Sequence, residues 1–436
     1  MATLWTKGGK ADSKVEEFTV GQDRVLDLRL ALYDVKGSKA HIAMLAKVGL
    51  LDIEEEKTLQ QALDEISESI SEGKFRLDDD VEDIHSQVEI NLTRKLGDSG
   101  RKIHSGRSRN DQVLVDIKLF LKDECLRIRD EVLNLFNLLI SLSRKYRQVL
   151  LPGYTHFQIA MPSSFGLWLG GYAESLADDM LMLGSAYGIC NQNPLGSAAG
   201  YGSSFPLDRR MTTRLLGFNT LVYNSVACQL GRGKTEKAVA AAIGQIATTL
   251  NHLAQDCCLY MSQNFGFISF PKNLTTGSSI MPHKKNPDVW EMIRGNCNLI
   301  NSAYSQISLI TSNLPHGYHR DYQLLKDVLF PALDRLHNCL EMTVYMMENL
   351  QVRKDILKES IYKPVFTVEK VNRLVEGGMP FRNAYKSVGQ DVENGSFRIE
   401  GKLPEKAEDL HHTHLGSIGN LALNEIKKKM RLASRW

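Results

Sequence analysis

The stretch DQVLVDIKLFLKDECLRIRDEVLNLFNLLISLSRK (residues 111–145) contains neither glycine nor proline, and neither occurs anywhere between Gly106 and Pro152. Apolar residues recur in it at spacings of three and four, the period of an α-helix with one buried stripe. The stripe consists of Leu114, Ile117, Leu121, Cys125, Ile128, Val132, Leu135, Leu139 and Leu142. At 1.5 Å per residue, about 35 helical residues span roughly 50 Å, far more than an ordinary globular helix. The stretch therefore predicts a bundle of very long helices.

Four further stretches carry the same helical period. They run over residues 162–183, 235–263, 287–312 and 322–350. Their broad apolar faces and frequent small residues are typical of helices that pack on several sides. Strand signals are sparse, and strands and helices do not alternate. We therefore predict an all-α fold, with a long central helical bundle over 106–352 and smaller, mostly helical N- and C-terminal domains over 1–105 and 353–436.

The composition restricts the possible partners and location. Charged residues make up 24% of the chain and the formal net charge is +2, so nothing indicates a nucleic-acid or membrane partner. No apolar run reaches the roughly 20 residues that span a bilayer. The N-terminus has no apolar core behind a basic start, so we expect no secretory signal. The seven cysteines lack a C-x-x-C spacing and predict reduced thiols in a cytoplasmic enzyme.

Motifs that would indicate a cofactor or another enzyme class are absent or incomplete. GRGKT (231–235) resembles the end of a phosphate-binding loop, but Cys228 stands where that motif needs glycine. The chain has no H-E-x-x-H, no G-x-S-x-G and no G-x-G-x-x-G after a strand. The histidine cluster HHTH (411–414) shows no metal-ligand spacing, and such clusters are usually on the surface. We therefore expect neither a cofactor nor a metal ion.

One loop between predicted helices is dense in hydrogen-bond donors. GSSIMPHKKNP (277–287) contains two serines, two lysines, a histidine and an asparagine. Asn286 and Pro287 predict a helix start with Asn286 as its N-cap, and the free N–H groups of a helix start favour an anion. Lys284 adds a charge, and Gly277 leaves neighbouring backbone N–H groups accessible. The loop therefore predicts a site for a carboxylate, or for negative charge that develops on one.

Three other polar loops join the long helices. They are HSGRSRND (104–111), LPGYTHFQIAMP (151–162) and NPLGSAAGYGSSFPLDRR (193–210). Loops at the ends of a rigid bundle are common places for sites, and loops between antiparallel helices fall at alternate ends. HSGRSRND and GSSIMPHKKNP therefore need not meet within one chain, and the alternative is that they meet across subunits.

The loop sequences resemble a known family. GSSIMPHKKNP matches the G-S-S-x-M-P-x-K-x-N-P signature of the fumarase/aspartase superfamily at every fixed position, and HSGRSRNDQV and PGYTHFQIAMP resemble further segments of its argininosuccinate lyase family. The same family is matched by DVKGSKAH (34–41), EDIHSQVE (82–89) and YHRDYQLLK (318–326). The resemblance covers almost the whole chain and implies a fumarase/aspartase-like fold. The δ-crystallins, which are lens proteins, share this scaffold.

The family's reaction is an anti β-elimination that converts argininosuccinate into arginine and fumarate. The resemblance implies that Ser278 is the base that removes a proton from the carbon beside a carboxylate. Lys284 and Asn286 are suited to hold the charge of the resulting aci-carboxylate. A serine hydroxyl must be ionised by surrounding donors, since each pK unit needs about 1.4 kcal/mol of differential stabilisation.

The resemblance also implies the acid, the substrate-binding residues and the assembly. His156, preceded by Thr155, is the implied acid for the leaving nitrogen, with Glu291 as its partner. The implied substrate-binding residues are Ser108, Arg109, Asn110, Asn286, Tyr318, Gln323, Lys326, Asp27, Asp83, His85 and Arg232. Arg109 can contact a carboxylate of the fumarate half with two hydrogen bonds. The implied assembly is a homotetramer whose active sites combine loops from several subunits.

Two regions depart from the family pattern. Asp23 stands where the family has serine, while Ala227, Gly231 and Gly233 replace three aspartates around the matching Arg232. These changes bear on the substrate more than on the elimination. They leave open a related fumarate-releasing lyase that acts on another succinyl adduct, as adenylosuccinate lyase does. A non-catalytic scaffold of the crystallin kind is the third alternative.

Overall fold

The computed structural model describes residues 12–79, 81–399 and 401–436. The expectation about a secretory signal rests on the first residues of the chain, and residues 1–11 lie outside this range. Within the described range helices dominate, and strands occur only as short pairs. The predicted all-α class is therefore confirmed.

The N-terminal part of the chain consists of short and medium helices. They are α1 (Ser13–Val20), α2 (Asp23–Asp27), α3 (Ala31–Lys47), α4 (Ile53–Ser71), α5 (Ile84–Leu96) and α6 (Asp98–Arg101). A capping box starts α4, because Asp52 accepts a hydrogen bond from the N–H of Glu55 (2.7 Å) and Glu55 accepts one from the N–H of Asp52 (3.2 Å). This pair satisfies donors that a helix start otherwise leaves free.

Long helices form the central bundle. In chain order its helices are α7 (Arg109–Lys145), α8 (Phe165–Cys190), α9 (Arg209–Leu215), α10 (Ser225–Leu230), α11 (Lys234–Met261), α12 (Asp288–Thr311) and α13 (Leu324–Glu348). All nine apolar residues of the predicted stripe are buried in α7, which packs against α8 and α13, while α12 packs against α11 and α13. None of the described helices is both long and apolar enough to cross a membrane.

A hairpin separates α7 from α8 where the sequence predicts that a helix begins at Pro162. Its strands are β1 (Leu150–Thr155) and β2 (Gln158–Ser164), and α8 starts only at Phe165. The prediction was wrong because Pro162 pairs with Pro152 across the hairpin. Ser164 caps the helix instead, since its Oγ accepts a hydrogen bond from the N–H of Leu167 (3.0 Å). The other strands are β3 (Gln192–Asn193), β4 (Thr220–Leu221), β5 (Ile268–Ser269) and β6 (Gln351–Val352).

The C-terminal part returns to the bundle. Its helices are α14 (Thr367–Glu376), α15 (Phe381–Glu393) and α16 (Leu423–Ala433), and α16 packs along α8. One cluster of buried apolar side chains extends from Leu30 to Ala433 and so includes residues from all three predicted parts. A small separate cluster, formed by Val371, Ala384 and Val388, holds α14 against α15. The division at residues 105 and 352 stays a prediction.

A histidine held by two carboxylates links α13 to α7. Nδ1 of His337 lies 2.6 Å from Oε2 of Glu131, and its Nε2 lies 2.8 Å from Oε2 of Glu124. Burial alone would lower the pKa of His337, but its bonds to Glu124 and Glu131 raise it to about 9. The imidazole of His337 is therefore positively charged at neutral pH and forms ion pairs with both carboxylates.

Candidate active site

A cavity of about 260 Å³ lies where the starts of α5 and α7 meet α2 and the segment before α13. Its lining is almost entirely polar or charged, and consists of Asp23, Asp27, Glu82, Asp83, His85, Arg109, Asn110, Val113, Arg232, Tyr318, Arg320, Gln323 and Lys326. Nine of the eleven residues predicted to bind substrate are in this set. Ser108 and Asn286 are not: Ser108 instead caps α7, its Oγ accepting a hydrogen bond from the N–H of Asn110 (3.3 Å).

One wall of the cavity is a chain of ion pairs. Asp83 caps α5, because its Oδ1 accepts hydrogen bonds from the N–H (2.9 Å) and the hydroxyl (2.7 Å) of Ser86. Its other oxygen pairs with Arg109, the first residue of α7. Glu82 lies 3.4 Å from the same guanidinium and also pairs with Arg320. The start of α7 therefore presents an arginine that its carboxylate neighbours orient toward the cavity.

The other wall carries two buried cations. Lys326 lies between Asp23 and Asp27. The side chain of Arg232 is 2% exposed, and its Nε lies 3.3 Å from a carboxylate oxygen of Glu236. Within the described chain, Nη1 of Arg232 has no hydrogen-bond partner. A buried guanidinium with an unused donor is suited to a ligand carboxylate.

A third group behind the cavity surrounds His85. Its Nδ1 lies 2.8 Å from Oδ1 of Asp34 and 3.5 Å from Oδ2 of Asp116. Burial alone would lower the pKa of His85, but the nearby Asp34 and Asp116 carboxylates raise it above its ordinary value. Burial, together with Asp34, raises the pKa of Asp116. Among the described residues these three are the group whose ligand atoms lie close enough, within 4.8 Å, to hold a metal ion. The contact between Nδ1 and Asp34 already has the length of a hydrogen bond, and the expectation of no metal stays a prediction.

Asp111 fastens a long loop to the start of α7. Its Oδ1 accepts a hydrogen bond from the N–H of Ser108 (2.8 Å), and its Oδ2 accepts from the N–H groups of Gly196 and Ala198 (both 2.9 Å). Burial raises the pKa of Asp111 to about 6, although these three backbone bonds act to lower it. This carboxylate therefore couples the loop over 193–210 to the helix end that carries Arg109.

The signature loop is closed at its neck. The N–H of Asn286 donates to the carbonyl of Thr276 (2.9 Å), and its side-chain amide donates to the carbonyl of Gly277 (3.1 Å). The predicted N-cap role of Asn286 was therefore wrong: its side chain closes the loop, and α12 begins at Asp288 after Pro287. Substrate binding by Asn286 stays a prediction.

Ser278 lies at the first turn of this loop and is half-buried. Its Oγ accepts hydrogen bonds from the backbone N–H groups of Ile280 (3.3 Å) and Met281 (3.2 Å). Two donors aimed at one hydroxyl oxygen favour its ionised form. Lys284, in the same loop, is exposed, as is Glu291 on the first turn of α12. The loop thus carries its reactive groups outward, and none of them lines the cavity.

His156 lies at the tip of the β1–β2 hairpin. Thr155 pairs with Gln158, so the turn between them consists of His156 and Phe157, with φ of 54° and 58°. Both side chains are exposed, and that of Phe157 is 80% exposed. Positive φ at both central residues is the geometry of a tight two-residue hairpin turn, which fixes the position of His156 at the tip. Neither Thr155 nor His156 lines the cavity.

The sequence did not assign every residue of the cavity. Asp23 was noted only as a departure from the family, and Glu82, Arg320 and Val113 were not singled out. Glu82 and Arg320 stand inside quoted family segments, beside Asp83 and near Gln323. Their positions next to predicted binding residues could have suggested them. The ion pair between Glu82 and Arg320 could not have been inferred, because the two residues are 238 positions apart in the sequence.

Comparisons with known proteins show the family to which the chain belongs. A family described as lyase matches residues 6–301. Argininosuccinate lyase from Phocaeicola vulgatus is 55% identical over 428 residues, which cover 98% of this chain and 94% of that protein. The chain belongs to the argininosuccinate lyase family. Argininosuccinate lyase from Thermotoga neapolitana is 40% identical over 387 residues and covers 89% of this chain and 97% of its own length.

Solved structures agree on the fold of this argininosuccinate lyase family member. EDDS lyase in complex with formate superposes with a TM-score of 0.80 at 22% identity, covering 99% of this chain and 92% of that one. A class II fumarase from Schistosoma mansoni gives a TM-score of 0.72 at 19% identity, covering 99% and 96%. The predicted superfamily fold is therefore confirmed. The predicted enzyme class, a lyase, is confirmed by the family match and by the argininosuccinate lyases named above.

Proposed function

We propose that the protein cleaves argininosuccinate into arginine and fumarate by anti β-elimination, as a step in arginine biosynthesis. The observation that carries this is that one cavity gathers nine predicted substrate-binding residues, together with relatives of that name at 55% identity. Arg109 and Arg232 provide guanidinium groups for carboxylates, and Asp23 and Asp27 provide negative charge for a cation. The lining thus complements a ligand that carries both charges.

Proton removal is assigned to Ser278. The N–H groups of Ile280 and Met281 already point at its Oγ, and the same kind of donor stabilises an alkoxide. The carbon acid next to a carboxylate is very weak, so the charge that forms must be held as it develops. Lys284, six residues further along the loop, is the cation proposed for that task.

Protonation of the leaving guanidino nitrogen is assigned to His156. An imidazole is well suited to proton donation near neutrality. Its exposed position at the hairpin tip leaves the ring free to enter a site from outside. Thr155 precedes it, and Glu291 is proposed as the carboxylate that orients the ring once the parts are brought together.

The assembly we propose is a homotetramer with shared active sites. Ser278 and His156 do not line the cavity of their own chain, which supports a site to which other subunits contribute them. Helix α12 leaves Met292, Leu299 and Leu309 between 54% and 75% exposed. Apolar side chains exposed along a central helix are typical of a surface covered by another subunit.

A cytoplasmic location is proposed from the cysteines. All seven lie in the described residues and are free thiols, six of them buried. Unpaired cysteines are usual where the compartment is reducing. We propose no nucleic-acid or membrane partner.

A second candidate, a lyase for another succinyl adduct, rests on the altered positions near Arg232. Gly233 has a φ of 76°, and a Cβ there would lie 2.6 Å from Cγ2 of Thr311. A Cβ on Gly231 would lie 3.0 Å from the carbonyl oxygen of Cys228. Local packing thus accounts for both glycines without a change of substrate, which favours argininosuccinate.

The decisive experiment is fumarate release, followed by its ultraviolet absorbance. Purified protein is expected to release fumarate from argininosuccinate, and in reverse to consume fumarate with arginine. A panel with adenylosuccinate, malate and aspartate tests the second candidate. Faster turnover of one of these three compounds than of argininosuccinate would establish the lyase for another succinyl adduct. If no substrate is turned over, the non-catalytic scaffold is the remaining alternative.

A further inference from the structure

Lys326 faces two carboxylates at one end of the cavity. Its Nζ lies 2.6 Å from Oδ1 of Asp23 and also contacts Oδ1 of Asp27. The two aspartates are four residues apart on α2, so they point the same way. All three side chains are at most 8% exposed. Together they carry a formal charge of −1, in a place where water screens charge poorly.

Both oxygens of Asp23 are engaged. Its Oδ2 accepts a hydrogen bond from Nε2 of Gln323 (2.7 Å), and Oε1 of Gln323 in turn accepts from Nε of Arg320 (2.9 Å). Asp23 is thus held rigidly at the cavity wall. A serine, which the family pattern has here, would leave Asp27 and Lys326 as a pair of opposite charges with no excess.

The same cavity also offers a donor for an anion. Nη1 of Arg232 has no hydrogen-bond partner in the described part of the chain. Tyr318 lies within electrostatic reach of both Arg232 and Asp23, which places the anion-binding and cation-binding groups around one ring. An α-amino acid carries an ammonium beside a carboxylate and so complements both groups.

We propose that Asp23 is a specificity-determining residue that makes this end of the cavity select a positively charged group, the α-ammonium of the amino-acid half of the substrate. The inference rests on the proposed function, which places an amino acid in the cavity. Arg109 also acts electrostatically on Asp23 and Asp27 but pairs directly with Glu82 and Asp83, so a ligand cation that contacts Asp23 offsets the excess buried charge better than a ligand without one. Asp23 acts in binding, so its loss changes KM more than kcat.

The test compares the binding of arginine with that of its desamino analogue, which lacks only the α-amine. Calorimetric titration of the intact protein is expected to give at least roughly tenfold tighter binding of arginine, a typical effect of one charge-assisted contact. In Asp23→Asn and Asp23→Ser the binding ratio, which is the affinity for arginine divided by that for the desamino analogue, is expected to fall toward one. In turnover assays both variants are expected to raise KM for argininosuccinate about tenfold while kcat changes little.

Asp334→Asn is the matched control. This carboxylate is also on α13, but it is 55% exposed, pairs with Arg29 and does not line the cavity, so the binding ratio is expected to stay at the wild-type value. Two different Asp23 variants with wild-type circular dichroism exclude misfolding as the cause.

Several results would overturn the proposal. They are equal binding of the two ligands by the wild type, no binding of arginine at all, survival of the ratio in both Asp23 variants, or a fall in kcat at constant KM. The titrations need no turnover. An intact ratio without fumarate release would therefore contradict the proposed function and leave the charge selection standing.

Discussion

Ser278 obtains its hydrogen bonds from the backbone of its own loop. Oγ accepts from two N–H groups, and these cannot rotate away or change protonation. As the proposed base, Ser278 needs no histidine beside it, because the loop amides would stabilise its alkoxide directly. The chemistry at this residue therefore depends on the shape of the loop, which Asn286 closes at its neck.

Ser278→Ala is expected to lower kcat by at least about a thousandfold, since it removes the proposed base altogether. The helical circular dichroism is expected to stay unchanged, because no core residue is altered. Ser279→Ala, one residue along the same loop, is the control and should retain activity. Fumarate release by Ser278→Ala within tenfold of wild type would remove Ser278 from the mechanism.

His337 gives the fold a dependence on alkaline pH. Its pKa in the folded chain is about 9, above the value of about 6.5 in an unfolded chain. The stabilisation is therefore full below about pH 6.5 and is lost as pH rises through about 9. Urea unfolding at the two pH values is expected to show a difference of up to about 3 kcal/mol. His337→Gln should reduce this difference in the free energy of unfolding between the two pH values. His252→Gln, which changes an exposed histidine, is the control and should leave the difference unchanged. The same difference in His337→Gln and in the wild type would refute the assignment.

At the scale of elements, one carboxylate joins a helix start to a loop. Asp111 completes the capping box of α7 and also binds the N–H groups of Gly196 and Ala198. Between the end of β3 at Asn193 and the start of α9 at Arg209 the loop has no helix or strand, so these bonds are important for its position.

Asp111→Ala is expected to lower the free energy of unfolding by about 2 kcal/mol or more, because it leaves buried N–H groups without acceptors. Limited proteolysis should become faster within residues 196–205. Asp130→Ala, an exposed position on the same helix, is the control for loss of a carboxylate. An unchanged cleavage rate in Asp111→Ala would show that the loop is held by other contacts.

The long helices could be predicted because their cause is local. The nine apolar residues of the α7 stripe repeat at the helical period, and no glycine or proline interrupts them. The hairpin was missed because Pro162 fits a first helical turn as well as a strand that pairs with Pro152. The N-cap at Asn286 was wrong for a similar reason, since only the folded loop brings Thr276 and Gly277 to its side chain.

At the scale of the whole molecule, the cavity depends on pairs that are distant in sequence. Asp23 and Gln323 are 300 residues apart, and Glu82 and Arg320 are 238 apart. The resemblance supplied nine of the lining residues, but periodicity and composition carry no information about such pairs. The charge excess around Lys326 could be recognised only once the pairs were assembled.

Mixed oligomers test whether the sites are shared. Ser278→Ala and His156→Asn are each expected to be inactive, and their co-expression is expected to restore turnover, because some sites then draw each intact group from a different subunit. Co-expression of Ser278→Ala with Lys284→Ala, two changes in one loop, should restore nothing. Light scattering should report four subunits in every case. Equal activity of the two mixtures would contradict shared sites.

The two left-handed residues at the hairpin tip, His156 and Phe157, do not line their own chain's cavity. If each site is completed by neighbours, turnover per subunit depends on how concentrated the protein is. Dilution below the dissociation constant of the assembly would silence folded chains that keep their cavity and their ligand affinity. The total rate of turnover in a cell would then rise more steeply than in proportion to the number of chains that the cell makes.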